Sequence, residues 1–154
     1  CDAFPEAVQV LEPVLKSYGG EQAFFGQVET IRTHEDNSRV RDAVNEPGSG
    51  RILVVDGGAS LKRSLLGGDL AGKAARNGWA GVIVNGAVRD AAELETEALG
   101  VLALALIPMK TEKRDLGVRG VPVTVAGAVV RRGDWLYADR DGVIVSAEPL
   151  HLQT

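Results

Sequence analysis

The sequence predicts an α/β domain in which buried strands and helices alternate early and strand-rich segments dominate late. Three observations carry this reading. Ile52–Val55, Gly81–Asn85 and Val101–Ile107 are short continuous apolar runs, the pattern of strands covered on both faces. Helix-length segments closed by Gly or Pro separate them. Beyond Pro108 the spacing shortens to strand, turn, strand. A compact β/β/α layered arrangement accommodates all three, as a single domain over residues 1–154. A chain of 154 residues fills one core and leaves no room for a second of similar size.

Taken in order, residues 3–17 carry Phe4, Val8, Leu11 and Leu15 at helical spacing, interrupted by Pro5 and Pro13. One or two short helices ending near Tyr18 are expected there, stopped by Gly19-Gly20. Gly26–Thr33 alternates as a strand, and Asp36 or Asn37 caps a helix running to about Asn45. The Ile52–Val55 strand stops at Asp56-Gly57-Gly58. Leu61–Asn77 reads as the next helix, closed by Gly78, and the strand from Gly81 completes a parallel, right-handed strand–helix–strand unit. Ala91–Glu97 reads as a short helix before the Val101–Ile107 strand. Met109–Gly120 carries six charges in twelve residues and reads as a solvated connection. Val121–Val125 and Ala128–Val130 form a hairpin through Gly127. Arg131-Arg132-Gly133-Asp134 turns the chain into strands at Trp135–Ala138 and Val143–Val145, themselves joined through Asp141-Gly142.

Composition removes several classes. Seventeen Lys and Arg against 21 Asp and Glu give a net charge of -4, which argues against a nucleic-acid surface built on bulk charge. A single Cys excludes an internal disulfide and any cysteine-held metal. No apolar run reaches the ~18 residues of a spanning helix, and no export signal is visible, so the expected compartment is the cytoplasm. The chain opens on Cys1, which is not a usual initiator, so residues upstream are expected.

Glycine concentrates where chemistry can sit. Three places combine it with charge at the end of a strand or the start of a helix: Val54–Ser60, Leu66–Leu70 and Asn85–Asp90. Unpaired backbone amides at Gly67, Gly68, Asp69 and Leu70 can hold a carboxylate without a cation. Each signal also has a bland reading. A diglycine permits a tight turn, Arg89 beside Asp90 is commonly a surface ion pair, and Asp56 can be a turn former. No phosphate-binding loop or dinucleotide fingerprint is present. His34 and His151 have no spaced partner. What is left is carboxylates, Arg89 and backbone amides, a set that suits an oxygen-liking ion such as Mg2+ or Mn2+.

From Phe24-Phe25-Gly26 and His34-Glu35-Asp36-Asn37, through Arg51–Leu66, Asn77–Gly81 and Asn85–Asp90, to Val121–Thr124 and Gly133–Asp139, nearly the whole chain closely resembles the RraA-like family. The likeness begins at Cys1-Asp2-Ala3. Members are named regulator of ribonuclease activity A or 4-hydroxy-4-methyl-2-oxoglutarate aldolase. The resemblance implies the family's compact swivelling β/β/α domain and assembly as a homotrimer or hexamer, with the site near a subunit boundary. The aldolase members share a glycine, twenty residues, Arg-Asp, two residues and an acidic residue. Here these are Gly68, Arg89, Asp90 and Glu93.

By that resemblance, the backbone at Gly67, Gly68, Asp69 and Leu70 binds the keto-acid end of the substrate. Arg89 contacts substrate, Asp90 ligates the divalent metal, and Glu93 lies in the outer shell holding metal-bound water. The implied enzyme is a metal-dependent (class II) lyase that cleaves 4-hydroxy-4-methyl-2-oxoglutarate to pyruvate, with oxaloacetate decarboxylase side activity through the same enolate. The alternative is a protein-binding inhibitor of ribonuclease E, for which the metal carboxylate is dispensable. One departure from the family is the stretch Asp115–Gly120, where a glycine-acidic loop is usual.

Overall fold

A computed structural model describes residues 8–152. Phe4, Pro5 and the Cys1-Asp2-Ala3 start lie outside the described residues. Where a helix is expected over residues 8–17, the chain instead makes two short strands, β1 (Gln9–Val10) and β2 (Lys16–Ser17). Leu11 and Leu15 have helical spacing, but Pro13 between them removes a backbone donor. Each flanking pair finds a distant strand instead, β1 pairing with residues 144–145 and β2 with residues 102–103.

The spine of the molecule is β3 (Phe24–Arg32), which pairs in parallel along one edge and antiparallel along the other. Its second half, Val28–Arg32, runs parallel to β4 (Ile52–Asp56). Its first half, Phe24–Gln27, runs antiparallel to residues 135–138 of a late strand. Between β3 and β4 lies α1 (Ser38–Val44). Next comes a departure from the sequence reading. Leu61–Asn77 is not one helix: residues 64–66 form a strand, β5 (Ser64–Leu66), and only then does α2 (Gly68–Arg76) begin. Gly78, at φ +83°, supplies the expected stop in a conformation costly for other residues.

The chain continues through β6 (Gly81–Val88), the short α3 (Ala91–Leu94) and β7 (Gly100–Leu106). Strands β3, β4, β6 and β7 lie side by side and parallel. The charged segment after Pro108 is not a free connection. It contributes β8 (Val118–Arg119), paired with β3 at Ile31–Arg32, and it buries Thr111. The hairpin β9 (Val123–Val125) and β10 (Ala128–Val130) follows, then β11 (Trp135–Asp139) and β12 (Gly142–Ser146), as the turn signals predict. The sheet path runs β1-β12-β11-β3-β4-β6-β7-β2.

Strand alternation builds a core on each face of the parallel strands. Leu53, Val55, Val82, Val84, Val101 and Ala103 turn to the side that also holds Val40, Val44, Leu70 and Ala74 of the helices. Ile52, Val54, Ile83 and Leu102 turn the other way, to Val123, Val125, Leu136 and Val143 of the late strands. Helices, sheet and a second strand layer therefore stack as the β/β/α arrangement expected. Among the described residues no helix is long and apolar enough to cross a membrane.

One buried charge cluster ties the layers. Glu29, on β3 and buried, accepts from Arg119 of β8 at 2.9 Å and from Arg132 at 2.8 and 2.9 Å, and Arg119 also donates to Glu46. Burial pushes the Glu29 carboxyl up, but the bonds from Arg132, the Thr30 amide and Arg119 together outweigh it and hold the group below its ordinary value. A carboxylate depressed on folding contributes stability that is complete above the ordinary carboxylate range. That contribution is lost as pH falls through the folded value. Glu29→Gln is therefore expected to lower unfolding free energy by about 1 to 3 kcal/mol at pH 7, the scale of hydrogen bonds to a charged group, since Arg119 keeps Glu46 and the Arg132 side chain is exposed. In denaturant titrations the gap from the parent should narrow below the carboxylate range, whereas a pH-independent gap would assign the loss to packing.

Candidate functional site

Strand β5 is what brings the motif together. It lies parallel to the end of β6, with Ser64 opposite Ala87 and Leu66 opposite Val88. The two chains therefore leave the sheet next to each other, one as Gly67-Gly68 and the other as Arg89-Asp90. The Arg89 amide donates to the Leu66 carbonyl at 2.9 Å and locks these exits together. The twenty-residue spacing now has a physical meaning. It is the length of α2, its turn and β6, after which the chain returns to its starting point.

Asp90 caps α3 in a left-handed conformation, φ 65° and ψ 50°, unusual for a residue with a side chain. This turns its carboxylate back over α2, where Oδ2 accepts the Gly68 N–H at 2.9 Å. Arg89 Nε lies 3.9 Å from the same oxygen, an ion contact too long for a hydrogen bond. Glu93 completes the group. A Cβ on Gly68 would overlap its carboxylate, and one on Gly67 would stand 2.8 Å from Asp90 Oδ2 and 3.0 Å from Arg89 Nε. The diglycine is thus more than a turn device, because side chains at either position would displace the charged groups packed on it.

The four positions from Gly67 to Leu70 contribute unequally. Ala71 N–H makes the first bond of α2, to the Gly67 carbonyl, so the Asp69 and Leu70 amides precede the helical ladder and have no acceptor within it. The Leu70 side chain belongs to the helix-side core. The Asp69 side chain is 86% exposed and pairs with Lys73 at 3.6 Å. What these residues offer a ligand is backbone. Asp90 has one carboxylate oxygen held by Gly68, and its side chain is 35% exposed. Among the described residues no three His, Cys, Asp or Glu converge as a metal cage. A single exposed carboxylate fits a hard ion that keeps most of its water, as Mg2+ does.

The other glycine-rich candidates resolve differently. Asp56 Oδ1 accepts the Gly58 amide and the Asn85 side-chain amide, each at 2.9 Å, and Asn85 O accepts from Gly57 and Ala59. Asp56 is a turn former, and Asn85 belongs to that turn and not to the Arg89 group. His34 pairs with Glu35 at 2.7 Å and His151 with the Tyr137 hydroxyl at 2.8 Å. A hollow of about 780 Å³ lies instead beside the strand-rich layer, lined by Leu11, Pro13, Leu15 and Leu102, and includes none of the motif residues. Sequence reasoning took Asn37 only as a helix cap and passed over Thr111, whereas Asn37 donates to the Leu65 carbonyl at the outer edge of β5 and accepts from the Thr111 hydroxyl. They are 74 positions apart, and no spacing rule links them.

Fold and site together define a layered α/β domain with a cluster of charged side chains where two parallel strands end. A family model described as RraA-like, Aldolase/RraA, matches residues 1–145, and the chain belongs to the RraA-like family. It is 55% identical to a protein of Ectopseudomonas mendocina named "Putative 4-hydroxy-4-methyl-2-oxoglutarate aldolase", over 99% of this chain and 94% of the relative. The structure of the RNA-processing inhibitor RraA from Thermus thermophilis superposes with a TM-score of 0.93 at 48% identity, covering 96% of this chain and 90% of that one. That of an S-adenosylmethionine: 2-dimethylmenaquinone methyltransferase from Geobacillus kaustophilus superposes at 0.97 and 40% identity, over 100% and 96%. Three names on one fold leave function to be argued from that cluster.

A side chain at Gly68 should disturb the cluster directly. Gly68→Val is expected to weaken oxalate binding in the presence of Mg2+ by about tenfold or more, the scale of one charge-assisted hydrogen bond lost. Calorimetry on a variant with parental circular dichroism measures it, and unchanged oxalate affinity would put the anion elsewhere.

Proposed function

We propose that this chain is a divalent-metal-dependent carbon–carbon lyase that cleaves 4-hydroxy-4-methyl-2-oxoglutarate to pyruvate and decarboxylates oxaloacetate as a side reaction. The observation that carries the reading is the convergence of Arg89, Asp90 and Glu93 on the amide-presenting start of α2. The name borne by relatives at 50 to 55% identity supports it. Asp90 is the proposed holder of Mg2+ or Mn2+, and the chemistry such an ion supplies is Lewis acidity toward a keto oxygen becoming an enolate.

The protein's own groups account for the rest. The Asp69 and Leu70 amides, at the positive end of α2, receive the substrate carboxylate. Arg89 presents a planar fork to the oxygen on which charge develops, a geometry that Lys cannot copy. Glu93, packed over Gly68, orients water at the edge of the cluster. Gly68 N–H holds one Asp90 oxygen and so directs the other outward. The proposed assembly is a homotrimer or a dimer of trimers, in the cytoplasm, with the site near a subunit boundary.

A second reading has its own support. The structure of an RNA-processing inhibitor matches at a TM-score of 0.93 and 48% identity, which supports a protein-binding inhibitor of ribonuclease E as the alternative. What supports the lyase as the first reading is the gathering of Arg89, Asp90 and Glu93 at the start of α2, an arrangement that a binding surface alone does not require.

Arg89→Lys separates the two. With pyruvate release followed in Mg2+, turnover should fall about tenfold to a thousandfold, equivalent to roughly 1.4 to 4 kcal/mol of transition-state stabilisation. Retention on immobilised ribonuclease E should not change. A parent protein that binds ribonuclease E tightly and releases no pyruvate from any β-hydroxy or β-carboxy keto acid would overturn the lyase reading.

A further inference from the structure

We propose that Asn37 and Thr111 act as a positioning pair that holds β5, and through it Gly67-Gly68, in register with Arg89 and Asp90. Strand β5 is three residues long. It has β6 along one edge and, on the other, the single Ser64–Lys110 bridge. At that outer edge the Leu65 carbonyl accepts from Asn37 Nδ2 at 3.3 Å, and Asn37 Oδ1 accepts from the Thr111 hydroxyl at 2.7 Å. The Ser64 amide donates to the Met109 carbonyl at 2.8 Å. Asn37 is 8% exposed and Thr111 5%, so water is poorly placed to replace either bond. A buried acceptor left unmet is costly, because the water that would satisfy it in the unfolded chain is excluded.

The chemistry at position 37 is specific. The Leu65 carbonyl can only accept, so the amide nitrogen must face it, and the amide oxygen is then left for a donor, which Thr111 supplies. Asp, Ser or Leu at this site could not both donate to Leu65 and accept from Thr111 at this reach. Asn37 stands at the N-cap of α1, where its side chain would ordinarily bond the first helical amides. It does not do so: both ends of its amide are engaged by Leu65 and Thr111, while Asp36 Oδ1 takes the Ser38 amide at 2.8 Å. Asp36 also receives the Arg114 amide and Ser38 Oγ the Asp115 amide, so the start of α1 gathers the whole 111–115 segment.

From Leu65 the path to the cluster is short. The next carbonyl, Leu66, accepts the Arg89 amide, and two residues on the Gly68 amide holds Asp90. A shift of Leu65 therefore moves both bonds that align the motif. Neither Asn37 nor Thr111 is among the groups that touch Arg89, Asp90 or Gly68, so their role is positioning and not catalysis.

Amide hydrogen exchange on the ligand-free protein reads this directly. Asn37→Asp and Thr111→Val should each accelerate exchange at Gly68 and Arg89 by about tenfold, with the middle of α2 unchanged. Thr111→Ser should restore the parental rate. Asn45→Ala, which removes a bond at the far end of α1, should leave both amides as they were. The kinetic consequence rests on the lyase reading: KM for the keto acid should rise about tenfold while kcat changes less than about threefold. Unchanged exchange at Gly68 and Arg89 in Thr111→Val, or equal acceleration in Asn45→Ala, would overturn the proposal. A parent that releases no pyruvate would remove the lyase reading and leave the exchange result to decide this one.

Discussion

The candidate site depends on β5 running beside the last residues of β6. Parallel pairing of Leu66 with Val88 sets two chain exits side by side, and the Arg89 amide bonded to Leu66 keeps them there. The Asp90–Gly68 bond then joins the start of α3 to the start of α2. Gly67 and Gly68 follow as a packing requirement, because the charged side chains occupy the space that a Cβ would need. Asp90 makes this bond from a left-handed backbone conformation, φ 65° and ψ 50°. A strained residue of this kind persists only where its surroundings over-determine it, and here the Gly68 amide, the Leu94 amide on the Asp90 carbonyl and the Arg89 ion contact do so.

The polar interior serves the same end on a larger scale. Glu29 with Arg119 and Arg132 joins β3 to β8 and to the turn before β11. Asp36, Asn37 and Ser38 fasten the 111–115 segment to the start of α1. Burial raises the Asp36 carboxyl, but bonds from the Ser38 hydroxyl and amide and from the Arg114 and Leu116 amides outweigh it and hold the group below its ordinary value. Both clusters tether a charge-rich stretch whose side chains alone would favour solvent.

Much of this was legible in the residues. The runs at Ile52, Gly81 and Val101 became the parallel strands, because a strand buried on both faces has little choice but continuous apolar sequence. The Gly68, Arg89, Asp90, Glu93 spacing pointed to residues that do converge. Three regions misled, each for a definable reason: the spacing of Leu11 and Leu15 suggests a helix, but Pro13 divides that stretch into β1 and β2. Ser64-Leu65-Leu66 is buried throughout, and an apolar run that short beside a real helix cannot be assigned by periodicity. Met109–Gly120 reads as solvated when its charges are counted, whereas its backbone is held by Asp36 and Ser38, and its Thr111 hydroxyl by Asn37, more than 70 positions earlier. Pairings at that separation leave no trace in local composition.

Within the RraA-like family one scaffold carries names of different activities, so the reading of this chain turns on whether Asp90 binds a divalent ion. Electron paramagnetic resonance of Mn2+ titrated into the protein tests that most directly, with Asp90→Asn as the comparison. Asn keeps an acceptor for the Gly68 amide while removing the charge. The account predicts saturable binding of one Mn2+ per chain in the parent and its loss in the folded variant. Equal Mn2+ binding by both proteins, or none by the parent, would contradict it.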